Sequence, residues 1–218
     1  MLVRDCMTRH PILISPKTPA AEAQRIMAEN RIRHLPVAGS GKRLLGLITR
    51  QRLAMKPDDL ASLNVWEITR RLSNLTAEKI MLPAARVRTI EPDKTVERAA
   101  SLMTDYRIGC LPVMEENVVV GIITEIDLLR AFQVMLGIQG EGVRVTVDMP
   151  NRRGEFAKLM RVIVDHNWGV VGVGTFPNAR REGYYFAVVK ISNVSPEEVQ
   201  DAIAGIDSQE IIDIRTIV

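Results

Sequence analysis

Histidine and cysteine are nearly missing from this chain, with three and two among 218 residues. Cys6 and Cys110 stand far apart without a CxxC spacing, which argues against a metal or redox motif and for buried free thiols. His10, His34 and His166 are equally scattered, no HExxH or GxSxG segment occurs, and no pair of carboxylates stands out. The sequence therefore shows no catalytic set, and neither a metal nor a resident cofactor is expected. No apolar run approaches transmembrane length, and the opening "MLVRDCMTRH" puts Arg and Asp where a signal peptide needs an apolar core. The expected location is the cytoplasm, with no membrane partner. A concentration of one charge is also lacking. The net charge is +3, and Lys and Arg are spread along the chain rather than gathered on one helix or arm, so nucleic acid is not an expected partner.

What is present is an internal repeat. "ISPKTPAAEAQRIMAENRIRHLPV" (14–37) aligns without gaps on "IEPDKTVERAASLMTDYRIGCLPV" (90–113), and "GLITRQRLA" (46–54) matches "GIITEIDLL" (121–129). The segments "VRDCM" and "AEKIM" precede the two copies. In the second copy Val96, Ala99, Ala100 and Met103 recur at helical spacing. "CLPVM" and "VVVGIIT" read as strands around a polar turn, "EEN", and "TEIDLLRAF" as a helix with Thr124 near its N-cap. Residues 57–76, with Trp66, read as a partly helical connection in which Trp66 packs.

This order resembles the cystathionine-β-synthase (CBS) domain, and the tandem resembles a Bateman module, with one unit at 1–56 and another at 77–137. The resemblance implies two units packed pseudo-symmetrically, leaving two clefts for adenosyl ligands such as AMP, ADP, ATP or S-adenosylmethionine. It assigns Thr124 and Asp127 to the ribose-phosphate pair of one cleft. An ionised carboxylate accepts from both ribose hydroxyls, and a helix start favours an anion. The bland reading is an ordinary helix start with a surface Asp. From the first unit the resemblance carries over Thr8 to Ile12 and Ile32, Arg33 and His34. Ile12 and Ile32 would sandwich adenine, and Arg33 and His34 would face phosphates, unless they are simply exposed strand residues. In the other cleft Thr49 remains, but Arg52 stands where the first cleft has Asp127. A guanidinium has donors only and cannot accept from a ribose. Gly109-Cys110 there replaces Arg33-His34, removing two cations. Two readings of Arg52 stand: it leaves the second cleft vacant, or it reaches the phosphates of the neighbouring ligand.

The remaining residues, 142–218, differ. Val143, Val145 and Val147 alternate as in a half-buried strand. Phe156, Leu159, Met160 and Ile163 lie on one helical face, and "SPEEVQDAIAGI" opens a helix on Ser195 with Pro196 at its first position. The order βαββαβ is ferredoxin-like and resembles an ACT domain, so the fold class expected overall is α/β (α+β). "NRRG" is similar to the Asn-Arg-Pro-Gly turn through which amino-acid-sensing members bind their effector, which would give Asn151, Arg153 and Gly154 that role. The second Asn of those members is replaced by Val near Val170-Val171, so a dimerising or structural role competes with an amino-acid ligand. CBS–CBS–ACT as a whole resembles the bacterial acetoin-utilisation AcuB family. The expected function is a non-catalytic regulator that binds an adenine nucleotide, forms a homodimer and acts on an unknown target protein. An enzyme or nucleic-acid-binding regulator controlled by its own Bateman module is the alternative.

Overall fold

The repeat in sequence is a repeat in space. In the computed structural model, which describes residues 1–53, 75–138 and 140–217, the chain divides into two compact units, Met1–Leu129 and Arg130–Val218. The first copy runs α1 (Val3–Cys6), β1 (Thr8–Arg9), α2 (Ala20–Glu29), β2 (His34–Ala38), β3 (Leu44–Thr49) and α3 (Arg50–Leu53). The second runs α4 (Ala77–Ile80), β4 (Leu82–Pro83), α5 (Val96–Tyr106), β5 (Cys110–Glu115), β6 (Val118–Thr124) and α6 (Glu125–Met135). The helical connection expected over 57–76, with Trp66, lies almost wholly outside the described residues.

Matched residues share one fate. Ile14 and Ile90, Ala23 and Ala99, Met27 and Met103, Leu35 and Leu111, Val37 and Val113, and Ile48 and Ile123 are all buried. Removing such side chains from water supplies most of the stability of a small unit. Arg31 and Arg107, which follow the paired helices, both take the left-handed conformation at φ 53° and 51°. Between β5 and β6 the expected turn is a two-residue loop with Glu116 and Asn117 at φ 47° and 68°, the twist that a tight antiparallel hairpin requires.

One feature has no signature in the sequence: the copies exchange strands. β1 of the first copy pairs antiparallel with β6 of the second, Thr8 opposite Ile122. Reciprocally, β4 of the second pairs with β3 of the first, Leu82 opposite Leu47. The sheets are therefore ordered β1-β6-β5 and β2-β3-β4. This exchange explains the glycine in each quoted segment. A Cβ on Gly46 would stand 2.5 Å from the Met81 sulfur and 2.6 Å from the Leu82 carbonyl oxygen. One on Gly121 would stand 2.5 Å from the Met7 sulfur and 3.1 Å from the Thr8 carbonyl. Each glycine admits the other copy's Met and the strand behind it.

The second unit holds β7 (Gly142–Pro150), α7 (Glu155–Asp165), β8 (Gly169–Pro177), β9 (Tyr184–Ser192), α8 (Pro196–Ala204) and β10 (Glu210–Ile217). Its four antiparallel strands are ordered β10-β7-β9-β8, giving the βαββαβ succession that the sequence predicts. Val143, Val145, Val147, Leu159, Ile163, Val199 and Ile203 form its core. Ser195 caps α8, accepting from Glu198 N while Glu198 accepts from Ser195 N. β7 is more buried than its alternation predicts. Asp148, on the other face, is only 3% exposed, because Asn178 and Arg181 fold over it at 3.0 and 3.1 Å.

Candidate functional site

The carboxylate of Asp127 lies folded back on Thr124. Its Oδ2 accepts from the Thr124 backbone N–H at 2.8 Å and from the Thr124 hydroxyl at 2.7 Å, so the last residue of β6 and the first turn of α6 form one unit. This is the capping arrangement that the short polar pair predicts, and among the described residues Oδ1 accepts no hydrogen bond. Strand exchange then brings the N-terminal segment alongside. Thr8 lies opposite Ile122 on the same ladder, and the nearby Cys6 thiol is pushed up by burial first and then by the charges of Asp127 and Asp5. Thr8, Thr124 and Asp127 therefore come from distant positions to one end of one sheet. Ile12 is 40% exposed, an apolar side chain facing solvent. Ile32 packs against the core of the first copy and lines a cavity of about 520 Å³ with Arg31, Arg33 and Arg50.

A larger cavity, about 710 Å³, opens at the other cleft. It is lined by Thr49, Gln51, Leu47, Leu82, Val87, Ile108, Gly109 and Cys110 together with six arginines: Arg33, Arg50, Arg52, Arg86, Arg88 and Arg107. Glu125 is the single carboxylate among the described lining residues. The expectation that Gly109 and Cys110 deprive this cleft of cations is not met. Arg33 and His34 reach it from the first copy, and Arg86, Arg88 and Arg107 from loops of the second. Gly109 itself makes room. A Cβ there would stand 3.2 Å from Glu125 Oε2 and 3.5 Å from the His34 ring. The three added arginines, two in "ARVRT" (85–89) and Arg107 within the repeat, carry no joint signal in the sequence because they converge only after folding.

Two guanidiniums are held in place. Arg52 donates to the Ile80 carbonyl at 3.2 Å, and Arg88 lies over the Tyr106 ring at 4.1 Å. The charge around the cavity is felt by its neighbours. His34 is pulled below its ordinary value by burial and then by Arg33, so its imidazole is neutral at pH 7. Burial, with a smaller contribution from Glu125, pushes the Cys110 thiol up to about 12, which makes it an inert wall rather than a nucleophile. An arrangement of many donors and one carboxylate suits an anion.

In the second unit Asn151 donates its backbone N–H to Gly183 at 2.7 Å, and Gly154, at φ 90°, starts α7. The turn's charge partner is Arg152 rather than Arg153. Arg152 binds Glu155 at 2.7 Å, and Lys158 binds the same oxygen at 3.0 Å. These two hydrogen-bonded cations pull Glu155, whose residue is only 2% exposed, down to about 2 against desolvation, with help from Ser208 and Gln209. A cavity of about 490 Å³ touches Gly154, Lys158, Arg161 and Asp207, but neither Asn151 nor Arg153. Among the described residues no His, Cys, Asp and Glu cluster could hold a metal ion, and no helix is long and apolar enough to cross a membrane.

Comparison with known proteins follows this geometry. L-aspartate semialdehyde sulfurtransferase of Methanocaldococcus jannaschii is 31% identical over 134 residues, 60% of this chain but only 23% of that enzyme. The crystal structure of the CBS domain pair of protein MJ0100, in complex with 5′-methylthioadenosine and S-adenosylmethionine, is 31% identical at a TM-score of 0.50 and covers 61% of this chain and 95% of its own. A Vibrio cholerae protein provisionally named for acetoin utilisation, AcuB, is 30% identical at a TM-score of 0.51, covering 61% and 90%. The family model for the CBS domain matches residues 3–57 and 77–134, the two copies that exchange strands here. With repeat and fold in agreement, this chain belongs to the CBS domain family as a tandem pair.

Proposed function

We propose that this protein is a cytoplasmic, non-catalytic regulator that senses an adenine nucleotide or S-adenosylmethionine through its CBS pair. The observation that carries the reading is the Thr124–Asp127 unit at the start of α6, its Oδ1 accepting no hydrogen bond among the described residues, beside the exchanged strand that bears Thr8. The carboxylate would accept from the ribose hydroxyls and the free N–H groups of the first helical turn would face phosphate. Ile12 and Ile32 would hold the base; Arg33 and His34, which the resemblance gives to the phosphates of this ligand, line the Arg52 cavity instead. The adenosyl ligands of the MJ0100 pair support this chemistry. Signalling would follow from a difference in ligand affinity between two conformations of the pair.

The C-terminal βαββαβ unit is assigned the role of an ACT domain: dimerisation, or a second signal such as an amino acid at Asn151–Gly154. Homodimerisation is favoured by β8, an edge strand of that sheet, which exposes Val170, Val173 and Phe176. Likeness to the Vibrio cholerae protein favours a place in acetoin or related carbon metabolism. The sulfurtransferase activity of the M. jannaschii relative belongs to a protein most of whose length this chain does not span. Calorimetric titration of the full chain with AMP, ADP, ATP, S-adenosylmethionine and 5′-methylthioadenosine tests the reading. Saturable binding of at least one, lost in Asp127→Ala, is the expected result; no binding by any of them refutes it.

A further inference from the structure

We propose that the Arg52 cleft takes a nucleotide whose ribose itself carries a phosphate, on the 2′ or 3′ oxygen. The inference rests on the nucleotide reading of the paired clefts given above. Arg52 and Asp127 are each the third residue of their helix, directly following Thr49 and Thr124, which end β3 and β6. A carboxylate at this place accepts hydrogen bonds from bare ribose hydroxyls. A guanidinium there can only donate, so the ribose group that complements it is an oxyanion. Dinucleotide sites of an unrelated fold show the same exchange. An Asp or Glu binds a free 2′-hydroxyl, whereas an Arg accommodates a 2′-phosphate.

The surroundings fit. Thr124 gives its hydroxyl and N–H to Asp127, whereas Thr49 and Arg52 line the cavity with two donor side chains. Among the described residues Arg52 makes one hydrogen bond, by one nitrogen to the Ile80 carbonyl, which orients its fork in the cavity wall. The cavity, about 710 Å³, has small-molecule size. Leu82, Val87 and Ile108 offer an apolar wall for a base, and Arg33, Arg86 and Arg107 supply cations for a 5′ phosphate. Charge alone would favour any polyanion. Placing an Arg at the ribose position favours phosphates at both ends of the sugar over a linear chain of them.

The experiment is calorimetry on the full chain in an Asp127→Ala background, so that only this cleft is read. The probes are adenosine 3′,5′-bisphosphate and adenosine 2′,5′-bisphosphate, with ADP as a control carrying the same number of phosphates in a line. One bisphosphate should bind with one site per chain and at least about tenfold tighter than ADP. Arg52→Ala should abolish that preference, Arg52→Lys should weaken it, and Arg52→Asp should turn the cleft toward AMP, a gain that misfolding cannot produce. Equal binding of ADP and both bisphosphates, or unchanged binding in Arg52→Ala, overturns the inference. So does absence of bisphosphate binding in a wild-type chain that still binds AMP, an outcome that spares the function proposed above. If the wild type binds neither a bisphosphate nor any of the five adenosyl ligands titrated above, both readings fall.

Discussion

Replacing Asp127 separates stability from recognition. Its Oδ2 already serves the Thr124 N–H and hydroxyl at 2.8 and 2.7 Å, so ribose hydroxyls would be left with Oδ1. Asp127→Ala removes both functions. Loss of the helix cap should cost about 1 kcal/mol of stability. Loss of even one charge-assisted ribose hydrogen bond should cost about 1.5–3 kcal/mol of binding, which is roughly a tenfold to 150-fold weaker affinity. Asp127→Asn divides the two effects. Its amide oxygen still accepts from the Thr124 N–H and preserves most of the cap. Its remaining amide group no longer offers a charged acceptor to the sugar. Urea unfolding and nucleotide calorimetry on both variants make the test. The Asn variant should be nearly as stable as wild type yet bind adenine nucleotides more than about tenfold more weakly. Wild-type affinity in the Asn variant would refute the assignment of Oδ1 to the ribose, and an affinity loss that follows unfolding would reduce Asp127 to a cap.

Other outcomes follow from the geometry. Gly46→Ala should destabilise more than Gly121→Ala, each within about 1–3 kcal/mol, because at Gly46 the Leu82 backbone oxygen at 2.6 Å cannot retreat as the Met7 sulfur can. A Met7→Ala partner should relieve Gly121→Ala, whereas Met81→Ala should leave most of the Gly46→Ala cost, and a urea double-mutant cycle reads both. His34 is held neutral by burial and Arg33, so an anion entering the cavity should restore its proton. Titration in buffers of different ionisation heat should therefore show proton uptake, and His34→Gln should abolish it. Glu155, held at about 2 against an ordinary value of 4.5, binds its proton more weakly folded than unfolded. Its contribution to stability is present above 4.5 and disappears as pH falls from 4.5 to about 2, so Glu155→Gln should flatten the acid limb of the unfolding curve.

Much of this was legible in the chain because it is local. The helix of Val96, Ala99 and Met103, the hairpin around Glu116-Asn117 and the cap at Ser195 each declare themselves within a few residues. The pairing of Thr8 with Ile122 leaves no such period, since it joins a two-residue polar strand to an apolar one more than a hundred positions away. Gly46 and Gly121 were visible as a motif, but their reason sits on Met81 and Met7 in the opposite copy. The cavity was misjudged for a related cause. Counting Gly109-Cys110 against Arg33-His34 gives each pair to a different cleft, whereas both line this one together with Arg86, Arg88 and Arg107. Scattered charge along a sequence is no guide to charge density across a dyad.

The exchanged strands also set an order of events during synthesis. β3 has only β2 beside it until Leu82 has left the ribosome, and β1 has no partner until Ile122 follows. At roughly 5–20 residues per second, β1 waits on the order of ten seconds, a loose segment in search of an edge. Closing so long a loop is slow as well as late. The two copies thus mature together or not at all. A ribosome stalled between them would release a first half with an open sheet edge, a substrate for chaperones and proteases rather than half a sensor.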